Sequence, residues 1–451
     1  MKILNNITKI NNKTFSIIIF IIALINGIIW GMPFYEISQD TAVKNDAGMF
    51  ILENGIFGND IYMNHLVDRV FYPILTAGVF KIFGPYPAVM KLLNLIMFAF
   101  LALLVYKLCQ IIFSEKLARV AGLFTALCYT LAGFTSHFDR QIFFVFLIFL
   151  LIYCLYQAQV KNKNIWYILS GLIFGMALLT NAIIQFFIVI IIANFLILNW
   201  SKGIKKIIPK IVILLLASAI FISPIFISNF LNFDRTPVLS KQGILLAMRA
   251  EKMQAIKGKY IEHLIANITG DLIVQKIFDD YDRSEARLGW NTLEEWQTKV
   301  YEQGYDMKEA DYQFTKKAIW EFIKHPFLFI EITSIDFLKF NTPMTPDVRM
   351  QHMFAEPDSH PELSDSSKIA IILFIRFVYL IFAILIIYAG IKLAKRWSKA
   401  SWIILIILYF NLIFSFLHAI ARLSLPIYPF YIILLTMGVL MVWDKILSFK
   451  K

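Results

Sequence analysis

The sequence predicts an all-α polytopic membrane protein with about ten transmembrane helices and further helices in its extramembrane loops. Three observations predict it. Apolar residues make up 59% of the chain and charged residues only 16%, against about 45–50% and 25% in an ordinary soluble domain. The mean hydropathy is +0.68. The apolar residues also come in runs long enough to cross a hydrocarbon core of roughly 30 Å, which takes about 20 residues of helix.

These runs lie near 15–33, 86–112, 117–134, 141–158, 165–181, 182–199, 208–228, 369–391, 401–417 and 425–443. The first follows Lys2, Lys9 and Lys13, as the apolar core of a signal peptide would. It is long, however, and ends in Trp30, Gly31, Met32 and Pro33 rather than at a small-residue cleavage site, so it reads as a retained span. Only Thr180 and Asn181 separate the fifth run from the sixth.

The net charge of +12 is not a nucleic-acid signal. The basic residues sit in short loops between apolar runs, where they set orientation. Lys116 with Arg119, Lys161 with Lys163, Lys202 through Lys210, and Lys392 through Lys399 mark alternate loops, and Lys445, Lys450 and Lys451 close the chain. With both termini cytoplasmic, all of them fall on the cytoplasmic face of a plasma (inner) membrane. Cys109, Cys128 and Cys154 all lie in apolar runs, which fits neither a disulfide framework nor a metal motif.

This topology divides the chain into an N-terminal membrane core, 1–228, an extracytoplasmic helical segment, 229–368, and C-terminal transmembrane helices, 369–451. The core includes a first outer loop at 34–70. Within the second part the stretch from Asp306 to Phe340 is helical and amphipathic, and "HPFLFIEITSIDFLKF" at 325–340 reads as an interfacial helix rather than a span.

Polar side chains near membrane depth are costly, so those at the outer mouths of spans are the site candidates. The first outer loop carries Asp40 and Asp46, and Arg69 near its end. The loop "TSHFDRQIF" packs His137, Asp139, Arg140 and Gln141 together. The last outer loop, "HAIARLSLPIYPF", holds His418 and Arg422. Acids, histidines and arginines from three loops thus face the same side.

In order along the chain, several stretches resemble the polyprenyl-phosphate-sugar-dependent, multi-span glycosyltransferases of the GT-C type. That superfamily includes protein mannosyltransferases and aminoarabinose transferases. "DRVFYPILTAGVFKIFG" at 68–84 follows an acid of the first outer loop, as it does there. "GLIFGMALLTN" at 171–181 is similar to a glycine-bearing fifth-span motif. "ISPIFISNFLNFDRTPVLSKQG" at 222–243, "HPFLFIEI" at 325–332 and "ARLSLPIYPF" at 421–430 resemble the passages that open the large outer loop and precede the last span.

The resemblance implies that residues 1–228 form the catalytic core, and that a sugar passes from a polyprenyl-phosphate donor to an extracytoplasmic acceptor with inversion. A phosphate leaving group needs no general acid, unlike the leaving alkoxide of glycoside hydrolysis. It needs a base on the acceptor hydroxyl and cations on the departing phosphate. By the resemblance the base is Asp40, with Asp46 close enough to compete for the role. Asp139 would be a second, orienting acid, unless Gln141 occupies that place. Arg422 would grip the phosphate oxygens in bidentate fashion, with Arg69 and Arg140 as further cations. Some relatives bind a divalent metal and others do not, and no full ligand set is visible here.

Plainer readings stand beside these. Asp40 would equally cap the helix that follows it. Arg422 would equally anchor a span at the head groups. His137 with Asp139 is half a metal site, and two ligands two residues apart are not a motif. The alternative functions are a transporter or lipid flippase and a non-catalytic relative of the same superfamily. The lack of an internal repeat and the near absence of charges at mid-span argue against transport. The expected partners are the lipid bilayer, the lipid-linked donor and an acceptor that is protein, glycan or lipid, with no nucleic acid.

Overall fold

The computed structural model describes residues 10–31, 39–56, 70–136, 139–233, 242–281, 289–305, 307–342, 364–417 and 421–448. All regular structure among them is helical. The chain divides into two compact units: Met1–Pro237 with Ile384–Ile407 and Leu425–Lys451, and Val238–Ala383 with Leu408–Ser424.

The first unit opens with α1 (Asn12–Gly31), α2 (Gln39–Asn54) and α3 (Phe71–Phe83). There follow α4 (Pro87–Ile112), α5 (Glu115–Ala126), the short α6 (Tyr129–Gly133), α7 (Gln141–Lys161), α8 (Asn164–Thr180), α9 (Phe187–Asn199) and α10 (Ile208–Phe233). The second unit holds α11 (Gln242–Ala255), α12 (Tyr260–Thr269), α13 (Trp290–Gln297), α14 (Met307–Lys324) and α15 (Pro326–Asn341). Helices α16 (Asp365–Ala394) and α17 (Trp397–Leu417) contribute to both units, and α18 (Tyr428–Ser448) returns to the first.

Nine stretches among the described residues are long and apolar enough to cross a membrane. They coincide with nine of the ten predicted runs. The tenth, α8, is apolar but 17 residues long. The narrow boundary at Thr180 and Asn181 is real: Asn181 is extended, and its side chain accepts a hydrogen bond from the Ile183 N–H before α9 begins. The predicted span at 117–134 is one stretch broken between α5 and α6. The expected amphipathic stretch from Asp306 is two helices, because Pro326 starts α15 directly after α14. Residues 71–83, assigned to no span above, form the apolar helix α3, which Gly84 stops at a φ of 86° that only glycine adopts easily.

Two features bind the first unit. The glycine-bearing motif puts Gly171 of α8 against α10, where a Cβ would stand 2.2 Å from the Leu214 carbonyl oxygen. The Ser218 hydroxyl donates to the Gly171 carbonyl at 3.0 Å. Small residues allow such close approach where lipid gives helices no hydrophobic reason to associate. At the end of the bundle where α4 stops and α5 starts, Arg119 is buried. It donates to Glu115 Oε1 at 2.6 Å, to the Asn12 side chain at 2.7 Å and to the Ile10 carbonyl at 2.7 Å. A residue counted above as a loop cation is therefore a pinned structural one.

The second unit is built around a buried ion cluster. Arg249 and Lys252 of α11 both hydrogen-bond the carboxylate of Asp336 on α15, and Arg249 also donates to Thr333 Oγ1 at 2.8 Å. All three charged side chains are excluded from solvent. Burial pushes the Asp336 carboxyl up, but Lys252 and Arg249 outweigh it and hold it below the ordinary carboxylate value. Nearby, the Asp311 carboxylate of α14 accepts the backbone N–H groups of Gly243 at 2.8 Å and Ile244 at 3.4 Å. It thereby serves the first turn of α11, where orphan N–H groups and the helix dipole favour an anion.

Candidate functional site

One group of polar residues in the first unit lies where α3, α4 and α7 meet. The chain leaves α6 through the turn Phe134–Ser136 and enters α7 at Gln141, with Arg140 as the residue before its first turn. Asp139 is half-buried there. Its Oδ1 accepts the Arg140 N–H at 2.6 Å, and its main-chain carbonyl accepts from Asn94 Nδ2 at 3.4 Å. Asn94 stands two turns inside α4 and is wholly buried. The Tyr72 hydroxyl, from the start of α3, lies beside the Asn94 side chain and within electrostatic reach of Asp139.

Aromatic packing holds this junction. Phe71 stacks on Phe143 with ring centroids 5.9 Å apart, and Tyr72 meets the same ring at 5.9 Å. The start of α3 is thus fixed to the start of α7, so Tyr72 and Asp139 keep their mutual placement. The amide oxygen of Gln141 is buried at this junction with no hydrogen-bond partner among the described residues.

Helix α2 packs along α3. Gly48 faces Thr76, where a Cβ would come within 2.5 Å of the Thr76 methyl, and Ala47 and Ile51 are buried. This helix carries both acids of the first outer loop. Asp46 is exposed on it. Asp40 is in its first turn; its side chain lies outside the described residues, as do Arg69, His137 and His418. Arg422 is exposed in the 3-10 turn Ala421–Ile427 and belongs to the second unit. Among the described residues no three His, Cys, Asp or Glu side chains come together as a metal site.

The structure therefore brings Asp139, Arg140 and Gln141 together with two residues absent from the sequence-derived candidates, Tyr72 and Asn94. Asn94 carried a usable signal: it is a lone amide inside the apolar run "MKLLNLIMFAF", a place where a polar group needs a reason. Tyr72 sits in the quoted motif at 68–84 but carries no charge to set it apart.

Helices of spanning length, joined by loops that carry acids and arginines, define a multi-pass integral membrane protein with a polar site at one end of its bundle. Residues 70–227, from α3 into α10, match the family model of dolichyl-phosphate-mannose-protein mannosyltransferases. The match covers under half of the chain, and it supports a membrane glycosyltransferase of the GT-C type. It includes Tyr72, Asn94, Asp139, Arg140 and Gln141, and it stops short of Asp40, Asp46 and Arg422. No curated protein and no solved structure matches the chain.

Proposed function

We propose that this chain transfers a sugar from a polyprenyl-phosphate donor to an acceptor on the extracytoplasmic side, in a single inverting displacement. The observation that carries the reading is the Asp139 loop, held by Asn94 and set near Tyr72 at a bundle end, inside the stretch that matches the mannosyltransferase family. The basic loops give the orientation: with both termini cytoplasmic, that end faces out.

The chemistry is one bond made and one broken. The acceptor hydroxyl oxygen attacks the anomeric carbon while the bond from that carbon to the phosphate oxygen breaks. The bonding pair leaves with the polyprenyl phosphate, and the hydroxyl proton goes to a carboxylate. Asp40 takes that proton, from the first turn of α2. Asp139 orients the acceptor or the sugar from the neighbouring junction, its loop held by Asn94. Guanidinium groups balance the charge that develops on the phosphate, Arg422 first among them, with Arg69 and Arg140 in support. An apolar donor tail lies between spans, and this keeps the chemistry at the membrane surface.

The test is turnover. The purified chain is mixed with short-chain polyprenyl-phosphate sugars and a lysate-derived acceptor pool, and release of free polyprenyl phosphate is followed. Sugar-dependent release that is lost in both Asp40→Asn and Asp139→Asn, with normal expression, upholds the proposal. Folded protein that releases nothing from any donor leaves a transporter or a non-catalytic relative as the better reading.

A further inference from the structure

Helices α14 and α15 of the second unit each carry a second apolar face. Helix α14 buries Ala310, Phe314 and Ala318 against α11. At about 3.6 residues per turn, Tyr312, Ile319 and Ile323 fall on the opposite side, with Lys316 and Glu309 among them and Trp320 beside them. Trp320 is 65% exposed and Ile323 is 67% exposed. A helix whose free side met only water would carry mostly polar residues there, not four large apolar ones. Helix α15 repeats the pattern, burying Leu328, Ile332 and Ile335. On its other side Phe327 is 80% exposed and Ile330 is 62% exposed.

What meets these faces follows from what α15 lies against. Within the same unit it touches the end of α17, one of the helices of spanning length. Phe329 meets Phe416 with ring centroids 5.7 Å apart, Phe340 stacks on Phe414 at 5.3 Å, and Asn341 Nδ2 donates to Asn411 Oδ1 at 2.7 Å. Leu412 and Phe416 of α17 are themselves turned outward. A helix held against the end of a span shares the surroundings of that end. Phe322 against Phe329, at 4.6 Å, carries the end of α14 with it. Lys316, Lys317 and Lys324 are all exposed along α14. Cations beside a Trp-bearing apolar stripe are the composition of a helix lying in the lipid interface, and the cations favour anionic head groups.

We propose that α14 and α15 form a lipid contact. Trp320, Ile323, Phe327 and Ile330 enter the boundary between head groups and acyl chains, while the three lysines meet anionic head groups. The proposal is independent of the catalytic reading.

The experiment uses the full chain in lipid nanodiscs, with and without phosphatidylglycerol. Nitroxide labels are placed through Ile323→Cys, Phe327→Cys and, on an exposed residue outside the stripe, Glu302→Cys, with the native cysteines replaced by alanine. Labels at 323 and 327 that collide with oxygen and are shielded from a water-soluble nickel chelate, with the reverse at 302, support the contact. Nickel access at 323 and 327 equal to that at 302 overturns it, as does shielding from both agents, which means a covering protein such as a second copy. A photoactivatable phospholipid applied to the unsubstituted protein gives the same answer without any cysteine: carbene adducts within 319–330 support the contact and their absence overturns it. In a Lys316→Glu, Lys317→Glu, Lys324→Glu variant, adducts from a phosphatidylglycerol probe fall at least two-fold while those from a phosphatidylcholine probe hold. Equal labelling by both probes overturns the anionic preference.

Discussion

Asn94, wholly buried in α4, donates from its side-chain amide to the main-chain carbonyl of Asp139, 3.4 Å away and 45 residues later in the chain. The bond holds the loop that presents the carboxylate, so under the proposed mechanism Asn94 acts as a positioning residue. Asn94→Leu keeps the branching of the side chain and removes the donor. Losing a hydrogen bond to a half-buried acceptor costs roughly 0.5–1.5 kcal/mol, which is up to about tenfold in rate if it is felt in the transition state. The expected outcome is a fall in kcat of up to about tenfold, with KM and folded yield little changed. A variant with unchanged kcat removes Asn94 from the mechanism.

The two acids on α2 are expected to behave differently. Asp46 is exposed, while Ala47 and Gly48 beside it face α3. Asp46→Asn is expected to retain turnover within roughly twofold, as surface substitutions away from a site usually do. Asp40→Asn is expected to lose it, because an amide cannot take the acceptor's proton. The comparison is read in the donor-release assay, and the reverse ranking would assign the base to Asp46.

Much of the fold was legible because a span declares itself locally, by the length of an apolar run. The nine span-length stretches coincide with predicted runs for that reason. Of the junction residues, only those marked by charge, as Asp139 and Arg140 are, or lying beside them, as Gln141 does, stood out in the sequence as candidates. Tyr72 reads as one more aromatic residue, and it becomes a site residue only because α3 docks on the start of α7. The Arg249, Lys252 and Asp336 cluster was invisible. Asp336 lies 87 residues from Arg249 and 84 from Lys252, and no local pattern pairs the acid with the two cations.

The glycine motif at 171–181 packs α8 closely against α10. Because the Gly171 position leaves no room before the Leu214 carbonyl, Gly171→Ala must push α8 away from α10. Overpacking of this kind costs about 1–3 kcal/mol. The expected outcome is a lower midpoint of thermal unfolding in detergent and a lower yield of monodisperse protein, with donor affinity unchanged in what remains folded. Unaltered stability would mean that α8 and α10 sit farther apart in the membrane.

Acid should unfold the second unit through Asp336. Its folded pKa lies below the ordinary carboxylate value, because Lys252 and Arg249 outweigh the effect of burial. The folded state therefore binds fewer protons than the unfolded chain as pH falls. The resulting stabilisation is complete above the unfolded value of about 3.9 and is lost as pH drops through the folded value. Asp336→Asn removes this acid dependence and leaves two buried cations without their counter-ion, a loss of roughly 3–5 kcal/mol at neutral pH. Thermal unfolding followed from pH 7 down to pH 3 is expected to show a steep loss below about pH 4 in the parent chain. The variant should melt much lower at pH 7 and show a shallower acid slope. Parallel curves for the two proteins would mean that the cluster does not carry the acid sensitivity.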